Sequence, residues 1–307
     1  MLNIIELMEK NHQQEYLVIK NYVKTKILNH ISINIPEFTI HGELHSQHVL
    51  EYISTIIENY QLNNILTSLD IFGLTASAWL HDVGLIQSTY DGKQLNKNDI
   101  RKLHNVLSSN FIIENYSKVG ISSINVARFI ANICKNHKRI EIIEENLEKE
   151  GVLSGFNIHP QMDAAIFRLA DAMDVDNRRA PTILRDEFLK LSGESYKHWK
   201  ACELTDGITV KEGKLMLNGS FSSNEDENII SWKICELFDE LWRVQDIFSE
   251  YQCPLTNVIG TFTDINTDEK KIYNGRDLFR QFSLNYPENI FGRDNIHVAF
   301  INRYLNG

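Results

Sequence analysis

The sequence predicts a mostly α protein with a small C-terminal α/β appendage. Three observations predict it. Apolar residues recur every three or four positions through most of residues 13–192. Glycine (15) and proline (5) are scarce in 307 residues, which suits long helices better than a sandwich of short strands. Near residue 205 the texture changes, and apolar residues alternate around a Gly-containing turn.

The elements follow in order. Residues 13–30 read as a helix with Leu17, Tyr22 and Ile27 among its apolar positions, and "INIPEFTIHG" breaks it through Pro36 and Gly42. From Leu44 the period returns, placing His45, Val49, Ile53, Ile56 and Ile57 on one face. A helix over 69–82 aligns Leu74, Ala78 and His81, and Gly84 stops it. Residues 88–99 read as loop by composition. The next helix starts near Asn98–Asp99, an N-cap pair, and sets His104, Leu107 and Phe111 in line. Val126, Ile130, Ile133 and His137 share the following stripe, and Ala164, Phe167 and Asp171 the one after. A charged helix is expected at 182–192.

In the last third, Ile208, Val210, Leu215 and Leu217 flank Glu212-Gly213 as a β-hairpin would. Ser223 and Asp226 read as a capping box. The helix they open, about 226–251, carries Ile230, Ile234, Leu237, Leu241, Val244 and Phe248, a stripe suited to the core or to a second subunit in a homo-oligomer. "LTNVIGTFTDI" reads as one more strand, and two short helices close the chain. The organisation expected is a helical extension at 1–40, a helical core at 41–195 and the appendage at 196–307.

Composition narrows function. A formal charge of −10 repels polyanions at long range, which disfavours long nucleic acid but not a small phosphorylated molecule in a basic pocket. Cys134, Cys202, Cys235 and Cys253 are widely spaced, as reduced thiols of a cytoplasmic protein would be. The segment "MLNIIELMEKNHQQ" lacks the basic region of a signal peptide, and no run approaches the ~18 apolar residues of a membrane span. The expectation is a cytoplasmic protein with no membrane partner.

Five expected helices each put a histidine or aspartate on an apolar face: His45, His81 with Asp82, His104, His137 and Asp171. An unpaired polar group in a core costs about 1–3 kcal/mol, so such a coincidence needs a reason, and a divalent metal is one. Each residue alone has a plainer explanation. A lone His45 or His104 is more often a hydrogen-bonded core histidine; His137 suits the basic end of its helix; Asp171 can pair with Arg168 one turn back.

Their order changes the balance. "HGELHSQHVLEYI", "WLHDVGL", "IRKLHNVLSSNFI", "ANICKNHKR" and "IFRLADAMDVDNRRAP" together resemble the HD-domain superfamily of metal-dependent phosphohydrolases, from His41 to about Pro181. The resemblance implies an HD-domain helical core in which His45, His81, Asp82 and Asp171 hold a metal. It implies that His104 and His137 add a second ion, with Asp82 bridging. His41 and His48 are then outer residues, although His41 can face the site. The HD-GYP branch is set aside, because its paired histidines and G-Y-P are replaced here by "NHKRIEI" with only His137.

The implied chemistry is hydrolysis of a phosphate ester, a nucleotide or another small one, by hydroxide formed on one or two divalent ions. Mn²⁺, Fe²⁺, Ni²⁺, Co²⁺ and Mg²⁺ all suit mixed His/Asp ligation. Asp82, His104, His137 and Lys138 are the candidate catalytic residues. Arg101, Lys135, Arg168, Arg178 and Arg179 are the candidate phosphate-binding ones, unless Asp174 and Asp176 pair with the last two and hold the loop. The alternatives are a regulatory module that binds metal and nucleotide with little turnover, and a nuclease.

Overall fold

The computed structural model describes residues 2–138, 142, 147–183, 191 and 193–285. Its helical part comprises α1 (Lys10–Lys26), α2 (Leu28–Asn34), α3 (Glu43–Asn59), α4 (Ser68–Leu80), α5 (Lys97–Val119), α6 (Ile124–Lys135) and α7 (Pro160–Ala172). Two short hairpins interrupt it, β1–β2 (Thr89–Tyr90, Lys93–Gln94) and β3–β4 (Gly151–Leu153, Phe156–Ile158). Then come α8 (Gly193–Leu204), β5 (Thr205–Lys211), β6 (Lys214–Phe221), α9 (Asn224–Glu250), β7 (Asn257–Asp264), β8 (Lys270–Asn274) and α10 (Gly275–Asn285).

The fold is mostly α with a small C-terminal α/β appendage, and most boundaries follow local chemistry. The first helix is two helices, broken at Ile27, where φ is −123°. Ile19, Val23 and Ile27 line one face while Leu28, Ile31 and Ile35 line another, and all six are buried. The bend lets both faces bury, with α2 against the 3-10 turn Val83–Ile86, where Asn34 Nδ2 donates to the Leu85 carbonyl at 2.7 Å. Helix α5 starts two residues earlier than expected. Asn96 is its N-cap, and Asp99 is the capping-box partner at N3. Residues 89–94, expected as loop, form a hairpin because Asp91-Gly92 takes positive φ at both positions (49° and 72°).

In the appendage, Glu212-Gly213 turns β5 into β6 with φ of 50° and 70°. Ser223 caps α9 by accepting from Asp226 N at 3.1 Å, but the Asp226 carboxylate turns to Ser222 N, so half of the expected capping box forms. Strands run in the order β5-β6-β7-β8, with β6 and β7 parallel and joined through α9. The apolar stripe of α9 is buried within the chain, where α9 packs on α7, α8, α10 and β7. The chain after Leu204 thereby packs onto α7, which carries Asp171, and through β5 onto α3, which carries His45. The charged helix expected at 182–192 lies outside the described residues apart from 182–183 and 191, as does the last of the two closing helices. Among the described residues no helix is long and apolar enough to cross a membrane.

Candidate metal centre

His45 lies on the buried face of α3, and His81 caps the C-terminus of α4, a helix buried along nearly its whole length. Asp82 follows directly. His104 sits in α5, His137 just past the end of α6, and Asp171 in the last turn of α7. Gly84 does more than end a helix. A Cβ there would meet the His104 carbonyl oxygen at 2.4 Å and Ser108 N at 2.7 Å. The bare glycine lets the backbone after Asp82 lie against α5, and Gly84 N donates to Ser108 Oγ at 2.8 Å.

The four imidazoles are oriented by their Nδ1 atoms. His45 Nδ1 donates to Asp174 Oδ2 (2.6 Å), His104 Nδ1 to the Arg101 carbonyl (2.8 Å), His137 Nδ1 to the Cys134 carbonyl, and His81 Nδ1 makes a longer contact with the Ser77 carbonyl (3.3 Å). Carbonyl and carboxylate oxygens only accept, so each Nδ1 carries a proton and Nε2 is the nitrogen left to ligate. Those nitrogens converge. His45 and His81 Nε2 are 3.0 Å apart, and His104 and His137 Nε2 are 3.1 Å apart.

Asp171 Oδ1 joins the first pair, 3.3 Å from His45 Nε2 and 3.5 Å from His81 Nε2. Asp82 serves both sides. Its Oδ2 lies 3.2 Å from His81 Nε2 and 3.5 Å from His45 Nε2, and its Oδ1 lies 3.6 Å from His104 Nε2. Two three-residue groups result, His45/His81/Asp171 and Asp82/His104/His137, with the ligand atoms of each within 4.8 Å of one another. Asp82 Oδ2 is buried and accepts no hydrogen bond. An orphaned carboxylate oxygen among those nitrogens is costly unless a cation joins them, so the donor set fits a divalent ion.

The electrostatics agree. Burial works to lower the pKa of His45 and His81, but Asp171, Asp174 and Asp82 around His45, and Asp82 with Asp171 around His81, outweigh it and raise them to about 10 and about 9. The carboxylates thus demand a positive charge at these nitrogens. Burial dominates at the other pair and lowers His137 to about 4 and His104 well below its ordinary value, so both are neutral and able to ligate.

Asp174 is the residue that sequence reasoning placed elsewhere. Expected as a loop-holding partner for arginine, it does accept Arg179 Nε at 3.3 Å, but it also orients His45, and its Oδ1 accepts from His48 Nδ1 at 2.8 Å. Its only sequence signal is its position three residues after Asp171. His48 is buried, and His41 faces the centre, with Nε2 4.0 Å from Asp82 Oδ2.

A cavity of about 840 Å³ opens beside the centre. Arg101, Lys138 and Arg179 line it. The other expected phosphate cations lie off its wall, for identifiable reasons. Arg168 is buried and directs Nε to Glu240 of α9 at 2.6 Å, because position 168 of α7 faces α9. Arg178 points outward and grips Asp176 through two bonds of 2.8 and 2.7 Å. Lys135 contributes its carbonyl, which accepts from Asn105 Nδ2 at 2.7 Å. The far wall comes from α8, α9 and α10, through His198, Trp232, Glu236 and Phe282, none of which belongs to a sequence motif. A family model described as HD-CE matches residues 35–239, and no curated protein matches the chain.

Proposed function

Since the chain belongs to the HD-CE family, an HD-like family whose matched region contains all six converging residues, we propose that it is a metal-dependent phosphohydrolase acting on a small phosphate ester such as a nucleotide. One observation carries the reading: Asp82 stands between two groups of imidazole Nε2 atoms, one carboxylate oxygen toward each. His45, His81 and Asp171 would hold one ion, and His104 and His137 a second, with Asp82 shared between them. Ions so held supply Lewis acidity and lower the pKa of a coordinated water.

The chain's own residues do the rest. Asp174, through His45 Nδ1, and the Arg101 carbonyl, through His104 Nδ1, keep the imidazoles in the ligating tautomer. Lys138, next to His137, and Arg101, one turn before His104, would meet the phosphoryl oxygens and neutralise charge as the ester P–O bond breaks and the bond to water forms. Arg179 donates to His41 Nε2 at 3.3 Å and to the Asp174 carbonyl at 2.7 Å, which makes it a support of the site's rim more than a free phosphate hand. Burial lowers the pKa of His41 to about 3, so it is neutral there and serves as a hydrogen-bonding group, not as an acid.

The test is metal analysis of the purified protein beside Asp82→Ala, followed by a phosphatase and phosphodiesterase screen with added Mn²⁺. One to two equivalents of metal, lost together with activity in the variant, support the reading. A wild-type protein that takes up no Mn²⁺ ends it.

A further inference from the structure

The cavity's metal side carries Arg101, Lys138 and Arg179, and its α9 wall presents Lys233 together with Glu236, Asp239 and Glu240. Each of these acids has a cationic neighbour: Glu236 takes Lys233 at 2.7 Å, Asp239 takes Arg243 at 3.2 Å, and Glu240 takes Arg168 at 2.6 Å. Burial opposes ionisation of Glu236, but Lys233 beside it outweighs burial and lowers its pKa to about 2. The phosphohydrolase reading places the phosphate on the metal side, beside Arg101 and Lys138. With its charge already met by Lys233, the Glu236 carboxylate suits a neutral hydrogen-bond donor. Lys233 occupies Glu236 Oε2, which leaves Oε1 of a cavity-lining carboxylate for such a donor.

The same wall holds an aromatic seat. Trp232 lines the cavity with the His198 ring edge-on to it, centroids 5.0 Å apart at 75°, and Lys233 Nζ 5.9 Å from the indole centroid. Across the cavity the Arg101 guanidinium lies 4.2 Å over the Phe38 ring, and Phe282 adds another aromatic surface. Planar rings stack on such surfaces, and stacking on a tryptophan is tolerant of ring identity. The volume, about 840 Å³, is within the ~300–1,000 Å³ of ordinary small-molecule sites, enough for a ligand that reaches both ends.

We infer that Trp232 and Glu236 of α9 read the alcohol part of the substrate, and that this part is a nucleoside: a planar ring seated on Trp232, its N–H groups or sugar hydroxyls donating to Glu236 Oε1, and the phosphate directed to the metal side. The inference rests on the phosphohydrolase reading for the position of the phosphate. It gives the C-terminal segment a task, that of the specificity wall of a site whose metal ligands come from the preceding helices.

The experiment compares the four common nucleoside 5′-monophosphates with ribose 5-phosphate and inorganic tripolyphosphate on the Mn²⁺-loaded full chain. Affinity is read as Kd by calorimetry where a probe is not turned over and as KM where it is. Wild type is expected to favour the nucleoside phosphates over ribose 5-phosphate by about tenfold or more, as loss of one stacking contact implies. Trp232→Ala is expected to reduce that ratio by about tenfold, Trp232→Phe to retain most of it, and Glu236→Gln to change the ranking among the four bases. Metal content and thermal melting of each variant establish that the site is assembled. A wild type without ring preference, or a ratio that survives Trp232→Ala, overturns the inference. Ring preference in binding without hydrolysis of any of these probes supports the nucleoside seat and counts against monoester and tripolyphosphate hydrolysis, which leaves the phosphohydrolase reading to the metal and phosphodiesterase tests above.

Discussion

Asp174 Oδ2 accepts the Nδ1 proton of His45 at 2.6 Å across 129 residues of sequence. This hydrogen bond sets which nitrogen of His45 is left to ligate, and it makes Asp174 a positioning residue for the metal centre. Asp174→Asn replaces an acceptor-only group with an amide that can present either its oxygen or its NH₂ to His45. We expect Mn²⁺ affinity to fall about 10–100-fold, the usual effect of removing an outer partner of a ligating histidine. Calorimetric titration measures it. An unchanged affinity with an unchanged melting temperature would reduce Asp174 to a packing role.

The same carboxylates make metal binding compete with protons. Their raised pKa values, about 10 and about 9, leave His45 and His81 drawn to protons at pH 7 in metal-free protein, and an ion must displace them. Apparent Mn²⁺ affinity should therefore rise from pH 6 to pH 9, with protons released on binding. For metal-free stability the sign follows from the upward shift. The contribution is complete below the ordinary histidine value of 6.5 and is lost as pH rises through about 9–10. Melting curves should show metal-free protein weakening between pH 7 and 10 and Mn²⁺ stabilising it most at the alkaline end. A pH-independent Mn²⁺ shift would contradict the assignment.

Asp163 lies away from the centre, fully buried in the first turn of α7, with neither carboxyl oxygen hydrogen-bonded to a fixed donor. Burial first, then the neighbouring Asp70, push its pKa well above the ordinary carboxyl value. Because the folded protein prefers the neutral acid, the stability this provides is present below the ordinary value of 3.8 and declines as pH rises through the folded-state value. Asp163→Asn keeps the shape without the charge. Its melting temperature should match or exceed wild type at pH 8 and lose that advantage at pH 4.5. Strong destabilisation at pH 8 would mean that the ionised form is needed.

Gly84→Ala tests the close approach that seats α5 beside Asp82. The added methyl would overlap the His104 carbonyl oxygen, so α5 must retreat. The expected outcome is a loss of about 1–3 kcal/mol, typical of overpacking, with weaker metal uptake at the His104/His137 pair than at the His45/His81 pair. Denaturant unfolding and metal analysis read the two effects separately. A variant with wild-type stability and full metal content would show that the approach is not essential.

Much of this was legible in the chain itself. Helical periodicity placed His45, His104 and Asp171 on buried faces, because a face that alternates every three or four residues has only one way to meet a core. The Glu212-Gly213 hairpin followed from the one turn that accepts positive φ at both central positions. The same rule applied to Asp91-Gly92 would have found the hairpin at 89–94, where composition alone suggested loop.

Nearness in sequence served less well for the cations. Arg168 and Arg178 stand close to Asp171 in the chain, yet one turns to Glu240 and the other to Asp176. The direction of a side chain at a helix end or in a loop depends on what packs there, which no local pattern encodes.

The helical class, the six polar residues along apolar helices and the turns that bend the backbone were written into the chain, because each depends on short-range periodicity or on the φ a residue tolerates. Packing in three dimensions was needed to set Asp82 between two histidine pairs, to bring Asp174 to His45, and to line the cavity with Trp232 and Glu236 of α9. Those relationships join groups that lie tens to more than a hundred residues apart, and they exist only once the apolar faces have packed and fixed where each helix end points.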